Sequence, residues 1–166
     1  MKKKRGNYAF IDSQNVNLSV KDAHWNLDFK RLYIYLKHKF QVEKVYVFIG
    51  YVSGNNKLYD YLQKVGYILI FKPTLKNQAG HIKGNCDAEL VLHCMIEYEN
   101  FEKAIIISGD GDFYCLIDYL KDRKKLLGIG IPNKKRYSAL LRKFIPYFFY
   151  ISDLRNKLEY KKREVL

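Results

Sequence analysis

Short runs of apolar, β-branched and aromatic residues recur along this chain, at separations too long for hairpins. They are Asn7–Asp12 (NYAFID), Val42–Tyr51 (VEKVYVFIGY), Tyr67–Phe71 (YILIF), Lys103–Ser108 (KAIIIS), Leu126–Ile131 (LLGIGI) and Pro146–Ile151 (PYFFYI). Strand propensity of this kind, interrupted by segments of helical periodicity, implies βαβ units. The spacing predicts helices over Asp28–Phe40, Leu58–Val65 with Gly66 as its C-cap, Asp87–Tyr98, Asp112–Lys124 and Tyr137–Phe144. Parallel strands need such crossovers, and near-continuous apolar strands fit a sheet covered on both faces. The expectation is an α/β fold with a mostly parallel, Rossmann-like central sheet. Lys72–Asn85 is polar, with Pro73, Gly80 and Gly84, and reads as a long loop of the kind that often carries function.

The 166 residues suit one domain, expected over 7–152. A basic tail (1–6) precedes it and a charged tail or helix (153–166) follows. No apolar run approaches the ~20 residues of a membrane-spanning helix. The basic N-terminus has no apolar segment behind it, since Asp12, Gln14 and Asn15 interrupt, so a signal peptide is not expected. Cys86, Cys94 and Cys115 show no zinc spacing and read as reduced thiols. A cytoplasmic protein with no membrane partner is the expectation. Thirty Lys and Arg against seventeen Asp and Glu give a net charge of +13, which attracts polyanions, nucleic acid first among them. Fifteen tyrosines among those cations suit single-stranded nucleic acid, although Lys, Tyr, Ile and Asn together also mark an AT-rich genome.

Against that positive background, the run Ala104–Ile107 ends on Ser-Gly-Asp-Gly-Asp, with Asp110 and Asp112. In an open α/β sheet, ligands sit beyond the carboxyl ends of the strands, where strand order reverses. Asp12 ends the first strand; Asp110 and Asp112 follow the fourth. On a helix starting at Asp87, Leu90, Val91, Cys94 and Tyr98 fall within about 60° of Asp87 at ~100° per residue, which turns that carboxylate inward. Glu89, His93 and Glu97 fall on another side. Each aspartate has a plain alternative as a cap or turn residue, with Gly109 and Gly111 relaxing the backbone. Four together at one end of a sheet are better explained by a divalent cation, Mg²⁺ or Mn²⁺, held by Asp12, Asp87, Asp110 and Asp112. His24, His38, His81 and His93 are scattered and form no base–nucleophile constellation.

Three blocks, FIDSQNVN (Phe10–Asn17), KGNCDAELVLHC (Lys83–Cys94) and SGDGDFYCLIDYL (Ser108–Leu120), resemble the signature blocks of NYN domains, relatives of the PIN-domain nucleases. The resemblance runs in order from Tyr8 to Ile151. It implies a PIN-like three-layer α/β/α sandwich and metal-dependent RNA cleavage at Asp12, Asp87, Asp110 and Asp112. It also implies that Asn15 and Ser108 orient a carboxylate, water or phosphate, and that Lys83 stands at the mouth of the site. Some members carry a further Asp in the third helix; here that stretch holds His93, a reduced acidic set.

The leading expectation is therefore a Mg²⁺- or Mn²⁺-dependent ribonuclease, an endonuclease, with RNA carried on Lys72, Lys76 and Lys83 and on Lys134, Lys135 and Arg136. The tail residues Lys2, Lys3, Lys4 and Arg5 are weaker candidates. The alternative is a catalytically silent RNA-binding module or partner-regulated subunit of the same fold; a homodimer or a regulatory partner stays open. A haloacid-type phosphatase would need D-x-D after the first strand, where Ser13 and Gln14 stand. A phospho-receiver would need its acidic pair there too. A dinucleotide site fits less well still, because Gly128 and Gly130 lie inside a strand stopped by Pro132, with no helix N-terminus to hold a pyrophosphate.

Overall fold

The computed structural model describes residues 4–80, 82–83 and 85–162, with backbone alone at 82 and 83. Lys2, Lys3 and His81 lie outside the described residues, as does the side chain of Lys83.

In chain order the elements are β1 (Asn7–Asp12), α1 (Ser13–Asp22), α2 (Phe29–Phe40), β2 (Val42–Gly50), α3 (Asn56–Val65), β3 (Ile68–Lys72), β4 (Leu75–Lys76) and β5 (Ile82–Lys83). They continue with α4 (Asp87–Ile96), β6 (Ala104–Ile107), α5 (Tyr114–Asp122), β7 (Leu126–Ile131), β8 (Phe148–Tyr150) and α6 (Arg155–Leu158). Six strands form one sheet in the order β3-β2-β1-β6-β7-β8, and every pairing in it is parallel. The order reverses between β1 and β6, so the crevice falls between the strand that ends at Asp12 and the strand that precedes Asp110.

The expected strands and α/β architecture are present, and the differences have local causes. Ser13–Asp22 forms a helix although its apolar residues are few, because Val16 and Val20 suffice to bury one face. The expected loop Lys72–Asn85 contains the two-residue strands β4 and β5, paired antiparallel and too short for any periodicity. The segment expected as a helix over 137–144 is 3₁₀ over Ala139–Tyr147, where Pro146 removes a backbone donor. Tyr147, Phe148, Phe149 and Tyr150 are half-buried; Phe148–Tyr150 is the edge strand on β7. Gly66 does cap α3, at φ 121°, a conformation that residues with a Cβ rarely adopt.

Period-two alternation divides the sheet into two faces. Ala9, Ile11, Val45, Val47, Ile105 and Ile107 meet Val16 and Val20 of α1, Leu32 and Leu36 of α2, Leu62 of α3 and Leu158 of α6. Tyr8, Phe10, Tyr46, Phe48, Ala104 and Ile106 meet Leu90 and Cys94 of α4 and Phe113, Leu116, Ile117 and Leu120 at α5. The result is three layers, α/β/α. Helix α4 covers more of its face than the wheel suggested: the His93 ring lies 5.3 Å from Tyr46 and 5.9 Å from Phe48. Among the described residues, no helix is long and apolar enough to cross a membrane. Cys86 and Cys94 are buried cysteines outside any disulfide among the described residues, and Cys115 is exposed.

The C-terminal segment is tied in by Leu158, which is 1% exposed, and by the 2.8 Å bonds Asp28 N–H to Leu158 O and Tyr160 N–H to Asn26 O. Leu158→Ala is expected to cost about 2–4 kcal/mol, lowering Tm by about 5–15 °C in thermal melts. Leu92→Ala, at a position 62% exposed, is expected to shift stability by less than about 0.5 kcal/mol.

Candidate functional site

Parity builds the centre of the site. Asp12 continues the Tyr8, Phe10 series on β1, and Ser108 continues the Ala104, Ile106 series on β6. Because Ile11 is level with Ile107, the next residues emerge side by side at the carboxyl edge. Ser108 Oγ donates to Asp12 Oδ2 at 3.0 Å, and accepts from the Asp110 N–H at 3.1 Å. The Asn15 N–H donates to Asp12 Oδ1 at 3.2 Å, while Asn15 Oδ1 accepts from the Gly109 N–H at 2.8 Å. Asn15 and Ser108 thus lace the two chain segments together and fix both oxygens of Asp12.

Asp87 opens α4 on its inner side. It is half-buried, and its N–H donates to Asn85 Oδ1 at 2.8 Å. Carboxylate oxygens of Asp12, Asp87 and Asp110 lie within 4.8 Å of one another. Capping and clustering coexist here: Asp12 caps α1, and Asp110 caps the 3₁₀ turn Gly111–Phe113 by accepting from the Asp112 N–H at 2.9 Å. Asp87 is not a cap; Cys86 stands at that position and makes no capping hydrogen bond to the first turn. Asp112 is exposed and outside the close group, though its charge bears on Asp87.

Gly109 and Gly111 have ordinary negative φ, so backbone relaxation is not their role. Space is the reason. A Cβ on Gly111 would lie 2.3 Å from Ser138 Oγ and 2.9 Å from Ser138 Cβ. The acidic loop is pressed against the segment after β7.

The electrostatics follow from burial. Asp12 is 6% exposed. Loss of solvent raises its pKa from 3.8 to about 6; the Asn15 and Ser108 bonds oppose the rise, and the charges of Asp87 and Asp110 add to it. Asp87 is raised too, first by burial and then by Asp110 and Asp112. Among the described side chains, no lysine or arginine forms an ion pair with any of these aspartates. Asp12 is held by neutral hydrogen-bond donors alone, Lys72 bears on Asp87 only through space, and an all-oxygen donor set fits a hard divalent cation.

The cations are distributed unevenly. Lys72 reaches the site: its Nζ donates to the Asn85 carbonyl and lies 3.7 Å from Glu89 Oε1. Glu89 escaped the sequence reading because it falls on the far side of the helical wheel; its Oε2 is buried without a hydrogen-bond partner. Lys76 sits on β4, and the backbone of Lys83 on β5. Lys134, Lys135 and Arg136 are exposed beyond the end of β7. Lys134 pairs with Asp153 at 3.0 Å and Arg136 with Asp22 at 2.9 Å, which leaves Lys135 as the member of that trio without an ion pair among the described residues.

Stability should record the uncompensated charge. The folded protein holds the Asp12 proton to a higher pH than the unfolded chain does. The stability this contributes is complete below pH 3.8 and is lost as pH rises to about 6. A shift from 3.8 to about 6 corresponds to about 3 kcal/mol. In chelator, Asp12→Asn is expected to be about 1–3 kcal/mol more stable than the parent at pH 7 and no more stable at pH 3.5, measured by urea unfolding.

Comparisons with known proteins agree with this architecture. The NYN-domain pattern matches residues 8–152. "Low amplitude and bright protein LabA" of Synechococcus elongatus is 24% identical over 165 residues, spanning 93% of this chain and 88% of that protein. A crystal structure of a protein of unknown function from Vibrio parahaemolyticus superimposes with a TM-score of 0.75 at 21% identity, covering 95% of this chain and 99% of that one. The family and the acidic cluster are consistent with nuclease function. The chain belongs to the NYN-domain family.

Proposed function

We propose that this protein is a divalent-metal-dependent ribonuclease that cuts within RNA chains. One observation carries the reading: Asp12, Asp87 and Asp110, from three separate chain segments, bring oxygens within 4.8 Å of one another without a described cationic partner. These residues would hold Mg²⁺ or Mn²⁺, with Asp112 at the rim. When bound, such a cation neutralises phosphate charge and lowers the pKa of water toward a nucleophile. Ser108 and Asn15 hold the Asp12 oxygens in a fixed direction, and Ser108 fixes the Asp110 backbone by the same hydroxyl. Cations flank the cluster on two sides, Lys72 and Lys76 near β3 and Lys134, Lys135 and Arg136 beyond β7. A strand of RNA can therefore pass across the acidic edge rather than end there. The pairs Lys134–Asp153 and Arg136–Asp22 are exposed, so exchanging their carboxylates for RNA phosphates costs little.

The test is cleavage of labelled single-stranded RNA with Mn²⁺, Mg²⁺ or chelator. Asp110→Asn is expected to lower the Mn²⁺-dependent rate by roughly a hundredfold or more, while RNA affinity stays within about threefold. Lys72→Ala should weaken binding and flatten the log–log salt dependence by about 0.7. RNA bound but left uncut by the parent protein with either metal would instead favour the catalytically silent RNA-binding module.

A further inference from the structure

Beside the acidic cluster lies a second feature, on the other side of the carboxyl edge. A cleft of about 250 Å³ opens between the start of α1, the end of β2 and the start of α3. Its wall begins at Ser13, the residue after Asp12, and continues through Ile49 and Gly50. Phe48, immediately before them, is level with Asp12 in the sheet. The cleft and the cluster thus share a rim, one residue apart on both strands, about 3.8 Å along the chain.

We propose that this cleft is a nucleobase subsite, which takes the unpaired base of the nucleotide next to the phosphodiester handled at the acidic cluster. The proposal rests on the ribonuclease reading above and names the part of the substrate that the acidic cluster does not touch. Its chemistry excludes a phosphate site: in a chain of net charge +13, no charged side chain lines this cleft. What lines it is amide, hydroxyl and apolar surface. An amide presents a donor and an acceptor side by side, the pattern that pairs with a base edge and most directly with adenine.

Of the three amides lining the cleft, Asn17 donates to Ser13 Oγ at 3.4 Å and the other two are uncommitted. Gln14 and Asn55 are exposed, and among the described residues neither side chain makes a hydrogen bond. Asn55 stands at the N-cap of α3, where asparagine ordinarily bonds the first turn, yet it makes no cap bond there. The hydroxyls behind them are spent. The Val52 N–H donates to Tyr59 Oη at 2.9 Å, and Thr74 Oγ1 donates to the Tyr51 carbonyl. Rigid walls with free amides at the opening are what selective recognition of a planar ring needs. Tyr59 also packs on Phe71 and Tyr51, with ring centroids 4.8 and 5.9 Å away. Tyr51 and Phe71 are 43% and 39% exposed, a stacking platform for the neighbouring base.

The test uses the full chain in solution, metal-free, with AMP and ribose 5-phosphate titrated in parallel and followed by NMR of the side-chain amides. AMP is expected to shift the Gln14 and Asn55 amide signals and ribose 5-phosphate to leave them in place. The double variant Gln14→Ala, Asn55→Ala is expected to weaken AMP binding about tenfold, with Tm unchanged because neither side chain holds the fold together. Equal shifts with ribose 5-phosphate, or none with AMP, would overturn the subsite. Cut sites are then mapped on random-sequence single-stranded RNA. A base bias at one position beside the cut, flattened in the double variant, supports the subsite; cleavage without bias counts against it. RNA that is never cut removes the ribonuclease reading alone, since the AMP titration still decides the cleft.

Discussion

A carboxylate that has lost its solvent and gained no counter-ion organises this end of the molecule. Asp12 is buried at the point where the sheet reverses order, and the charges of Asp87 and Asp110 press on it. The fold tolerates this because neutral donors hold both oxygens: the Asn15 amide on one and the Ser108 hydroxyl on the other. Those same two residues bind the loop after β6 to the start of α1. The arrangement is structurally complete and electrostatically incomplete. That mismatch is the usual mark of a site kept for a ligand rather than for stability.

The rest of the carboxyl edge is graded around that negative well. Positive charge lies to either side, partly neutralised by exposed ion pairs beyond β7 and, at the end of β3, by the pairing of Lys72 with Glu89. The uncharged cleft beside α1 is the exception in a strongly basic chain. On the proposed reading, acidic pocket, cationic flanks and amide-lined cleft would serve the parts of a polynucleotide: cation-bridged phosphate, backbone and base. On that reading, long-range attraction would come from the net charge and discrimination from the small neutral surface.

Much of this was legible in the chain. Apolar runs separated by helical periodicity set a parallel α/β sheet. The aspartates were visible because Asp and Gly are poor strand residues placed directly after AIII. Other elements carried no such signal. Strands β4 and β5 are two residues each, shorter than any period. Helix α1 buries one narrow stripe, and its polar residues concealed it. Glu89 lies opposite Asp87 on an ideal wheel, yet it comes close to Lys72 once β3 is alongside. Gly111 signalled a flexible backbone, whereas its actual need is room for Ser138, far along the chain.

The sequence by itself determined the strand and helix alternation, the inward turn of Asp87 and the excess of positive charge, because each depends on local pattern or simple addition. Only the tertiary structure decided that β1 and β6 are neighbours, that three of the four aspartates converge while Asp112 stays exposed, and that Gln14 meets Asn55 across a cleft. Those outcomes depend on strand order and on contacts between residues far apart in the chain. Sterics and burial select such contacts through the whole assembly, and no window of sequence contains them.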